Sequence, residues 1–154
     1  MRGEVYGLRG SQAESGTPVT LCDTGPLVAL VDRDDPHHVR CVAALQSLPA
    51  QPLLTTWPCL TEAMSLLWRA GGRPAQDELW GYLADGLVVL HIPAVTEWAR
   101  IRTLMQQYHD APMDLADASL VTAAERFQVR RIFTLDRHFY AYRIDGQHPF
   151  DVIP

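Results

Sequence analysis

The chain has 154 residues, 47% of them hydrophobic, which is enough for one domain with a buried core. Its formal net charge of -5 gives no reason to expect a nucleic-acid-binding arm or a membrane-seeking surface, although a local basic patch would still permit a nucleic-acid substrate. The three cysteines form no CxxC pair, and no apolar run is long enough to cross a membrane, so we expect a cytoplasmic protein with reduced thiols.

Hydrophobic periodicity and the positions of Pro and Gly divide the chain into elements. Residues 1–17 are rich in Gly and Ser and lack periodicity, which predicts a flexible N-terminal extension before a single domain over 18–154. The predicted elements are, in chain order, a strand at 19–23, helices at 25–34 and 37–48, a strand at 52–56, helices at 59–70 and 75–85, a strand at 87–92, a helix at 94–109, a helix starting within 111–120 and ending near 127, a strand at 130–136 and a short strand at 150–153. This alternation predicts an α/β fold of three layers, αβα, whose mostly parallel central sheet has four to five strands.

Two acidic residues lie at the carboxyl ends of predicted strands, which is where open parallel sheets bind ligands. Asp23 ends the first strand and Asp136 ends the strand at 130–136. Each has an ordinary explanation, because Asp after a strand often starts a turn or caps the next helix. Glu62 lies on the polar side of a predicted helix, and alone it would be a solvated side chain.

A further pair of acids, Asp114 and Asp117, lies one helical turn apart in the otherwise small and apolar segment "APMDLADASL". One interpretation is a helix start, with Asp114 as N-cap and Asp117 in the first turn. The other is a metal site shared with the strand-end acids. Carboxylates within about 4 Å repel by roughly 4 kcal/mol per pair at an effective dielectric constant near 20, and a cation removes that cost. An all-oxygen site suits Mg²⁺ or Mn²⁺, not zinc.

Four segments together resemble successive motifs of the PIN-domain family, especially its VapC-type toxins. They are "LCDTGPLVALVDRDDPHH", "TEAMSLL", "PMDLADASLVTAAERF" and "RRIFTLDRHF", and the resemblance runs from about Pro18 to the C-terminus. It implies that the family's acidic quartet corresponds to Asp23, Glu62, Asp117 and Asp136. Relatives of this type often carry a further acid where this chain has Asp114.

The resemblance implies a metal-dependent endoribonuclease, the toxin of a type II toxin–antitoxin module. Asp23, Asp117 and Asp136 would hold Mg²⁺ or Mn²⁺, Asp114 would be an auxiliary ligand, and Glu62 would bind metal through water or position the attacking water. The products would carry 5′-phosphate and 3′-hydroxyl ends. The implied partners are an RNA substrate, a cognate VapB-like antitoxin and a second copy of the chain in a homodimer, with no membrane.

Several residues near these acids have two interpretations each. Thr24 and Thr134 either hydrogen-bond a carboxylate or a substrate phosphate, or are present because Thr favours strands and caps. The T-x-D spacing places Thr134 and Asp136 on the same side of the predicted strand. The densest basic region either holds the RNA backbone or is solvated surface. Its members are Arg130, Arg131, Arg137 and Arg143.

The remaining histidines and aromatic residues are assigned structural roles. The pair His37-His38 is expected at a helix start on the surface, and His138 is given no catalytic role. Core packing is expected of the four tryptophans, although large aromatic side chains also anchor interfaces. They are Trp57, Trp68, Trp80 and Trp98.

Two other functions compete with the nuclease. A catalytically silent binding module on the same fold has no need of a costly carboxylate cluster. An aspartyl-phosphate phosphatase also places Asp after its first strand, but it requires a second Asp two residues later, where this chain has Gly25.

Overall fold

The computed structural model describes residues 19–153, and the predicted extension at 1–17 lies outside them. The helices and strands are, in chain order, β1 Thr20–Cys22, α1 Thr24–Val31, α2 His38–Ser47, β2 Leu53–Thr56, α3 Trp57–Ala84, β3 Val88–His91, α4 Val95–Gln107, α5 Leu115–Phe127, β4 Arg131–Phe133, β5 Arg143–Ile144, β6 His148–Pro149 and β7 Asp151–Ile153. A 3₁₀ helix follows β4 at Arg137–Tyr140. None of the helices in this part of the chain is long and apolar enough to cross a membrane.

Five strands form one parallel sheet in the order β3-β2-β1-β4-β7. Two apolar clusters cover it. One combines α4 and α5 with sheet residues such as Leu21 and Ile132, and the other combines α1, α2 and α3 with Leu53 and Phe133. The predicted three-layer α/β fold with a mostly parallel sheet is confirmed. Because all five strands are parallel, their carboxyl ends meet at one edge of the sheet.

Two of the helices that begin at this edge, α1 and α5, are largely buried. Seven of the eight residues of α1 are buried, and so is the run from Ala116 to Ala124 in α5. Side chains in both helices are small or aliphatic almost throughout, so the helices pack closely on the sheet and on neighbouring helices. Their first turns are therefore held in fixed positions at the carboxyl edge.

Two parts of the observed fold differ from the prediction, and one predicted helix break is present inside a longer element. The predicted strand at 130–136 ends at Phe133, so Thr134 and Asp136 lie in the turn that leads into the 3₁₀ helix and do not share a strand face. The reason is that Asp136 caps the 3₁₀ helix through its side chain. The predicted break between the helices at 59–70 and 75–85 is present inside α3, where Gly72 leaves the helical conformation with a φ of 66°. A small antiparallel pair, β5 with β6, was not predicted.

Core packing was the wrong prediction for the tryptophans, because all four are about half exposed, at 47% to 59%. Three lie on α3, and Trp98 lies on α4. The largest fully buried side chains are instead Tyr142, Phe133 and Phe139. Trp57 and Trp98 line a surface groove of about 800 Å³ that we call the apolar groove. Its other apolar lining residues are Pro58, Ile92, Pro93, Ile101, Met105 and Leu115.

Candidate active site

Asp23 lies directly after β1 at the carboxyl edge, and its side chain is 8% exposed. Its Oδ1 accepts a 2.7 Å hydrogen bond from the backbone N–H of Thr24, which makes it the N-cap of α1. Its Oδ2 accepts a 2.7 Å hydrogen bond from the hydroxyl of Thr134. The carboxylate is thus fixed from both sides, by the helix after β1 and by the turn after the adjacent strand β4.

Glu62 is connected to Asp23 through Thr24. The Thr24 hydroxyl donates to Glu62 Oε2 at 3.0 Å and also lies 3.4 Å from the carbonyl of Cys59. Thr24 itself is buried, whereas Glu62 is exposed two turns into α3. The predicted contact between Thr24 and a carboxylate is therefore present, and it orients a side chain that would otherwise turn freely in solvent.

Asp114 and Asp117 form a reciprocal pair at the start of α5. Asp114 Oδ1 accepts from the backbone N–H of Asp117 at 2.8 Å, and the N–H of Asp114 approaches Asp117 Oδ2 at 3.4 Å. This is a capping box, in which each acid satisfies a backbone donor of the other. Asp114 is exposed and Asp117 is only 6% exposed, so the helix start presents one acid to solvent and buries the other.

Asp136 is partly buried, and its Oδ1 accepts from the backbone N–H of His138 at 2.9 Å and contacts His138 Nδ1 at 2.7 Å. The backbone N–H of Asp136 donates to the Thr134 hydroxyl at 3.0 Å. Thr134 therefore links Asp136 to Asp23, because the same hydroxyl donates to Asp23 Oδ2. This link between the two strand ends replaces the shared strand face that the sequence predicted.

These acids lie close enough together to repel one another and to change one another's pKa values, so they form one cluster. Burial, with the negative charges of Asp136 and Glu62 added, raises the pKa of Asp23 to about 6 even though Thr134 and Thr24 stabilise its ionised form. Burial and the charges of Asp114, Asp23 and Asp136 raise the pKa of Asp117 to about 7. Four of the five predicted site acids therefore contribute to the field at Asp23 or Asp117, namely Asp23, Glu62, Asp114 and Asp136.

The donor chemistry of this cluster fits a hard divalent cation, because it supplies carboxylate oxygens and the raised pKa values report a charge that a cation would neutralise. Within residues 19–153, no three His, Cys, Asp or Glu side chains lie close enough together to hold a metal ion between them. This does not conflict with Mg²⁺, which is commonly bound through one or two carboxylates and keeps several waters.

Tyr142 also contacts the cluster, and no motif in the sequence predicts this contact. Its fully buried hydroxyl donates to Asp117 Oδ2 at 3.2 Å. Burial and the neighbouring carboxylates raise the Tyr142 pKa well above its usual value, so the hydroxyl keeps its proton and remains a donor. The contact between His138 and Asp136 was not predicted either. A polar residue two positions after a strand-end acid is its only sequence signal, and it is a weak one.

Cys59 is a buried thiol beside the cluster, with Sγ 4.0 Å from Asp23 Oδ1 and 3.9 Å from the carbonyl of Ala116. Burial and the charge of Asp23 raise its pKa to about 12. The thiol is therefore neutral, and it packs between α3 and the start of α5 as a small apolar group.

The basic region predicted around the last main strand separates into different roles. Arg143 Nη1 donates to the carbonyls of Tyr140, Ala141 and Tyr142, so it closes the 3₁₀ helix. Arg130 Nε donates to the carbonyl of Pro149 at 3.3 Å, and Arg131 is the first residue of β4, at the end of the strand opposite the cluster. Arg137 alone among the four lines a cavity with Asp136.

Comparison with known proteins places this geometry in context. The PIN domain family model matches residues 20–145. The chain is 31% identical over 135 residues to Ribonuclease VapC26 of Mycobacterium tuberculosis (strain ATCC 25618 / H37Rv), across 87% of this chain and 99% of that protein. Its fold resembles the crystal structure of Mycobacterium tuberculosis VapC20, described as a sarcin-ricin loop cleaving toxin, with a TM-score of 0.74, 18% identity, and coverage of 85% of this chain and 99% of that one.

Proposed function

The chain belongs to the PIN domain family, and on that premise we propose that it is a metal-dependent endoribonuclease, the toxin of a toxin–antitoxin module. Its relative VapC26 is named a ribonuclease, and the ribonuclease assignment of this chain follows from 31% identity over nearly the whole of that relative. The metal requirement, the residues that meet it and the toxin's partners are the parts that we infer.

The observation that carries the proposal is the linked carboxylate cluster at the carboxyl edge. Thr134 joins Asp23 to the turn of Asp136, and Thr24 joins Asp23 to Glu62. A structural protein gains nothing from carboxylates whose burial and mutual repulsion raise their pKa values. In a phosphodiester hydrolase, the same carboxylates would bind a cation beside the substrate's phosphate.

The residues of the cluster then take separate roles. Asp23, Asp117 and Asp136 would hold Mg²⁺ or Mn²⁺, and Asp114, which caps α5, would serve as an auxiliary ligand. Such an ion supplies Lewis-acid polarisation of the phosphodiester and a water nucleophile at neutral pH. Glu62, oriented by Thr24, accepts a hydrogen bond from the attacking water and aims it in line with the leaving oxygen. The leaving group is the 3′ oxygen, so the products carry 5′-phosphate and 3′-hydroxyl ends.

Thr24 and Thr134 act on the acids and not on the substrate in this proposal, because both hydroxyl donors are already directed at carboxylate oxygens. Tyr142 holds Asp117 in the same way. These three side chains limit the rotation of the ligands before any ion or RNA binds, which lowers the cost of assembling the site.

RNA cleavage by the purified chain tests the proposal. We expect discrete cleavage of total cellular RNA with Mg²⁺ or Mn²⁺, no cleavage in EDTA, and none by the Asp23→Asn variant with either ion. Sequencing of the new 5′ ends would show the cleavage sites. Cleavage that continues in EDTA and survives Asp23→Asn would contradict the site assignment. A folded protein that cleaves no RNA with any divalent ion would favour the silent binding module.

The partners are carried over from VapC-type relatives. We propose that the chain acts in the cytoplasm, forms a homodimer and is inhibited by a cognate antitoxin that covers the active-site cleft. The half-exposed tryptophans of α3 and α4 support a protein interface, since aromatic side chains are enriched at such contacts. Light scattering of the purified chain tests the dimer, and copurification with the product of the neighbouring reading frame tests the antitoxin. A monomeric chain would contradict the homodimer. Uninhibited cleavage by the copurified complex would contradict the antitoxin.

A further inference from the structure

A cavity of about 430 Å³ adjoins the carboxylate cluster on the side of the 3₁₀ helix. Thr134, Leu135 and Asp136 form the wall that it shares with the cluster. Arg40 of α2 lines it together with Arg137, the first residue of the 3₁₀ helix. A cavity of this volume falls in the range that holds a small-molecule ligand or one unit of a larger one. Whatever occupies it lies directly beside Asp136.

The chemistry of the walls favours an anionic ligand. Arg40 and Arg137 are both exposed, and within residues 19–153 neither guanidinium has a carboxylate or carbonyl partner. This contrasts with Arg143, whose guanidinium is held by three backbone carbonyls, and with Arg100, which is paired with Glu125. A guanidinium presents a planar fork of N–H donors that matches the oxygens of a phosphate. Two such groups on separate elements suit either one phosphate bound by both or two neighbouring phosphates.

An aromatic side chain completes the cavity. Tyr140 lines it and is 60% exposed, whereas its neighbours Phe139 and Tyr142 are fully buried. The exposed ring contributes little to the core, and it lies within the same cavity as the two arginines. Stacking on an exposed aromatic ring is how proteins commonly hold a base of single-stranded nucleic acid.

We propose that this cavity, which we call the Arg40 subsite, binds the nucleotide of single-stranded RNA next to the scissile phosphate. Arg40 and Arg137 hold its backbone phosphate, and Tyr140 stacks on its base. Arg40 lies on a different element from the acids, and only the fold brings it close to them. In this proposal it binds the RNA and thereby positions it. The inference rests on the proposed ribonuclease function, since it places the RNA relative to the metal-binding acids.

Binding of uncleaved RNA tests the subsite separately from cleavage. The background is the Asp117→Asn variant in Mg²⁺, so that the RNA remains intact, and the probe is a fluorescein-labelled 12-nucleotide single-stranded RNA of mixed sequence. We expect Arg40→Gln and Arg137→Gln each to raise Kd about fivefold to tenfold and to lower the salt dependence of log Kd by about 0.7, the share of one phosphate contact on a single strand. Tyr140→Leu should raise Kd about fivefold for single strands and leave the Kd for an RNA duplex unchanged.

Arg73→Gln is the matched control. It removes the same charge from an exposed arginine of α3 that lies outside the cavity, so we expect neither Kd nor its salt dependence to change. An Arg40→Gln variant that matches Arg73→Gln in both quantities would overturn the subsite. If the unsubstituted chain still cleaves RNA in that case, the proposed ribonuclease stands and only the subsite fails. A chain that neither cleaves nor binds RNA would contradict both.

Discussion

The carboxylate cluster and the apolar groove border the same helix starts but differ in how their side chains are held. Helix α3 carries Glu62 towards the cluster and Trp57 towards the groove, and the start of α5 places Asp117 in one and Leu115 in the other. In the cluster each acid accepts at least one hydrogen bond from a neighbouring element or cap. In the groove four large apolar side chains are exposed to water, Trp57, Ile92, Trp98 and Leu115.

One small domain thus contains two opposite sources of unfavourable free energy, buried charge in the cluster and exposed apolar surface in the groove. The cluster surrounds two buried carboxylates, Asp23 and Asp117, with further negative charges, and a cation relieves that cost. The groove exposes apolar surface, and its burial by a macromolecule would relieve that cost. Because the cluster is fixed by short-range hydrogen bonds, single-atom changes there should have large effects. Changes in the groove should have small effects on the isolated chain.

The largest expected effect is at Asp117. Loss of a partner that only orients a metal ligand commonly costs 10-fold to 100-fold in activity, so loss of a ligand itself should cost on the order of 100-fold or more. We therefore expect Asp117→Asn to reduce the RNA cleavage rate at least that far. Asp114→Asn is the control, because Asn also caps helices, and we expect a loss of no more than about tenfold. The reverse ranking in single-turnover cleavage assays would contradict the roles given to the two acids.

The next largest effect is on stability and its dependence on pH. The folded-state pKa values of Asp23 and Asp117 are raised to about 6 and about 7, above their unfolded value of 3.8, so folding favours their protonated forms. That contribution to stability is fully present below about pH 4 and is lost as pH rises through 6 to 7. In EDTA, we expect the free energy of unfolding by urea to be lower at pH 8 than at pH 5.

The Asp117→Asn variant isolates this effect. We expect it to be more stable than the unsubstituted chain at pH 8 in EDTA by on the order of 2 kcal/mol, with a smaller difference at pH 4. Addition of Mg²⁺ at pH 8 should raise the melting temperature of the unsubstituted chain more than that of the variant. A variant less stable than the unsubstituted chain at pH 8 would show that the capping box outweighs the repulsion.

A smaller effect is expected at Tyr142. Its hydroxyl donates to Asp117 Oδ2, and a hydrogen bond to a charged group contributes about 1.5 kcal/mol or somewhat more. We expect Tyr142→Phe to lower kcat/KM for RNA cleavage by about tenfold and to raise the Mg²⁺ concentration that gives half-maximal rate. Tyr82→Phe removes a hydroxyl that donates to Glu78 on the surface of α3, and it should leave both quantities unchanged. If Tyr142→Phe and Tyr82→Phe give the same kcat/KM and the same Mg²⁺ dependence, Tyr142 has no role in the site.

The smallest effect is expected in the apolar groove. Trp98 is 59% exposed on α4, so Trp98→Gln should change the free energy of unfolding by less than about 0.5 kcal/mol and the cleavage rate by less than about twofold. Leu104 lies on the same helix but is 1% exposed, and Leu104→Ala should cost about 2–5 kcal/mol by opening a cavity. Urea unfolding of both variants measures these changes in the free energy of unfolding. A large loss for Trp98→Gln would mean that the groove is part of the fold's own packing.

The sequence by itself determined the order of the elements, the parallel sheet and the positions of the acids along it. Alternation between short apolar runs and helical periodicity is a local property, so it can be read without contacts. The capping pair Asp114 and Asp117 is local as well, because both residues lie in one helical turn. The four acids of the quartet stay predictions as catalytic residues, although the fold brings them to one edge.

Only the tertiary structure decided how that edge is held together and what surrounds it. Thr134 reaches Asp23 across 111 positions of the chain, and Tyr142 reaches Asp117 from a different element, so no local spacing encodes either contact. The same holds for Arg40, which α2 brings to the cavity beside Asp136. The tryptophans show the converse, because hydrophobic composition predicts burial only on average, and the packing of helices decides which large side chains remain at the surface.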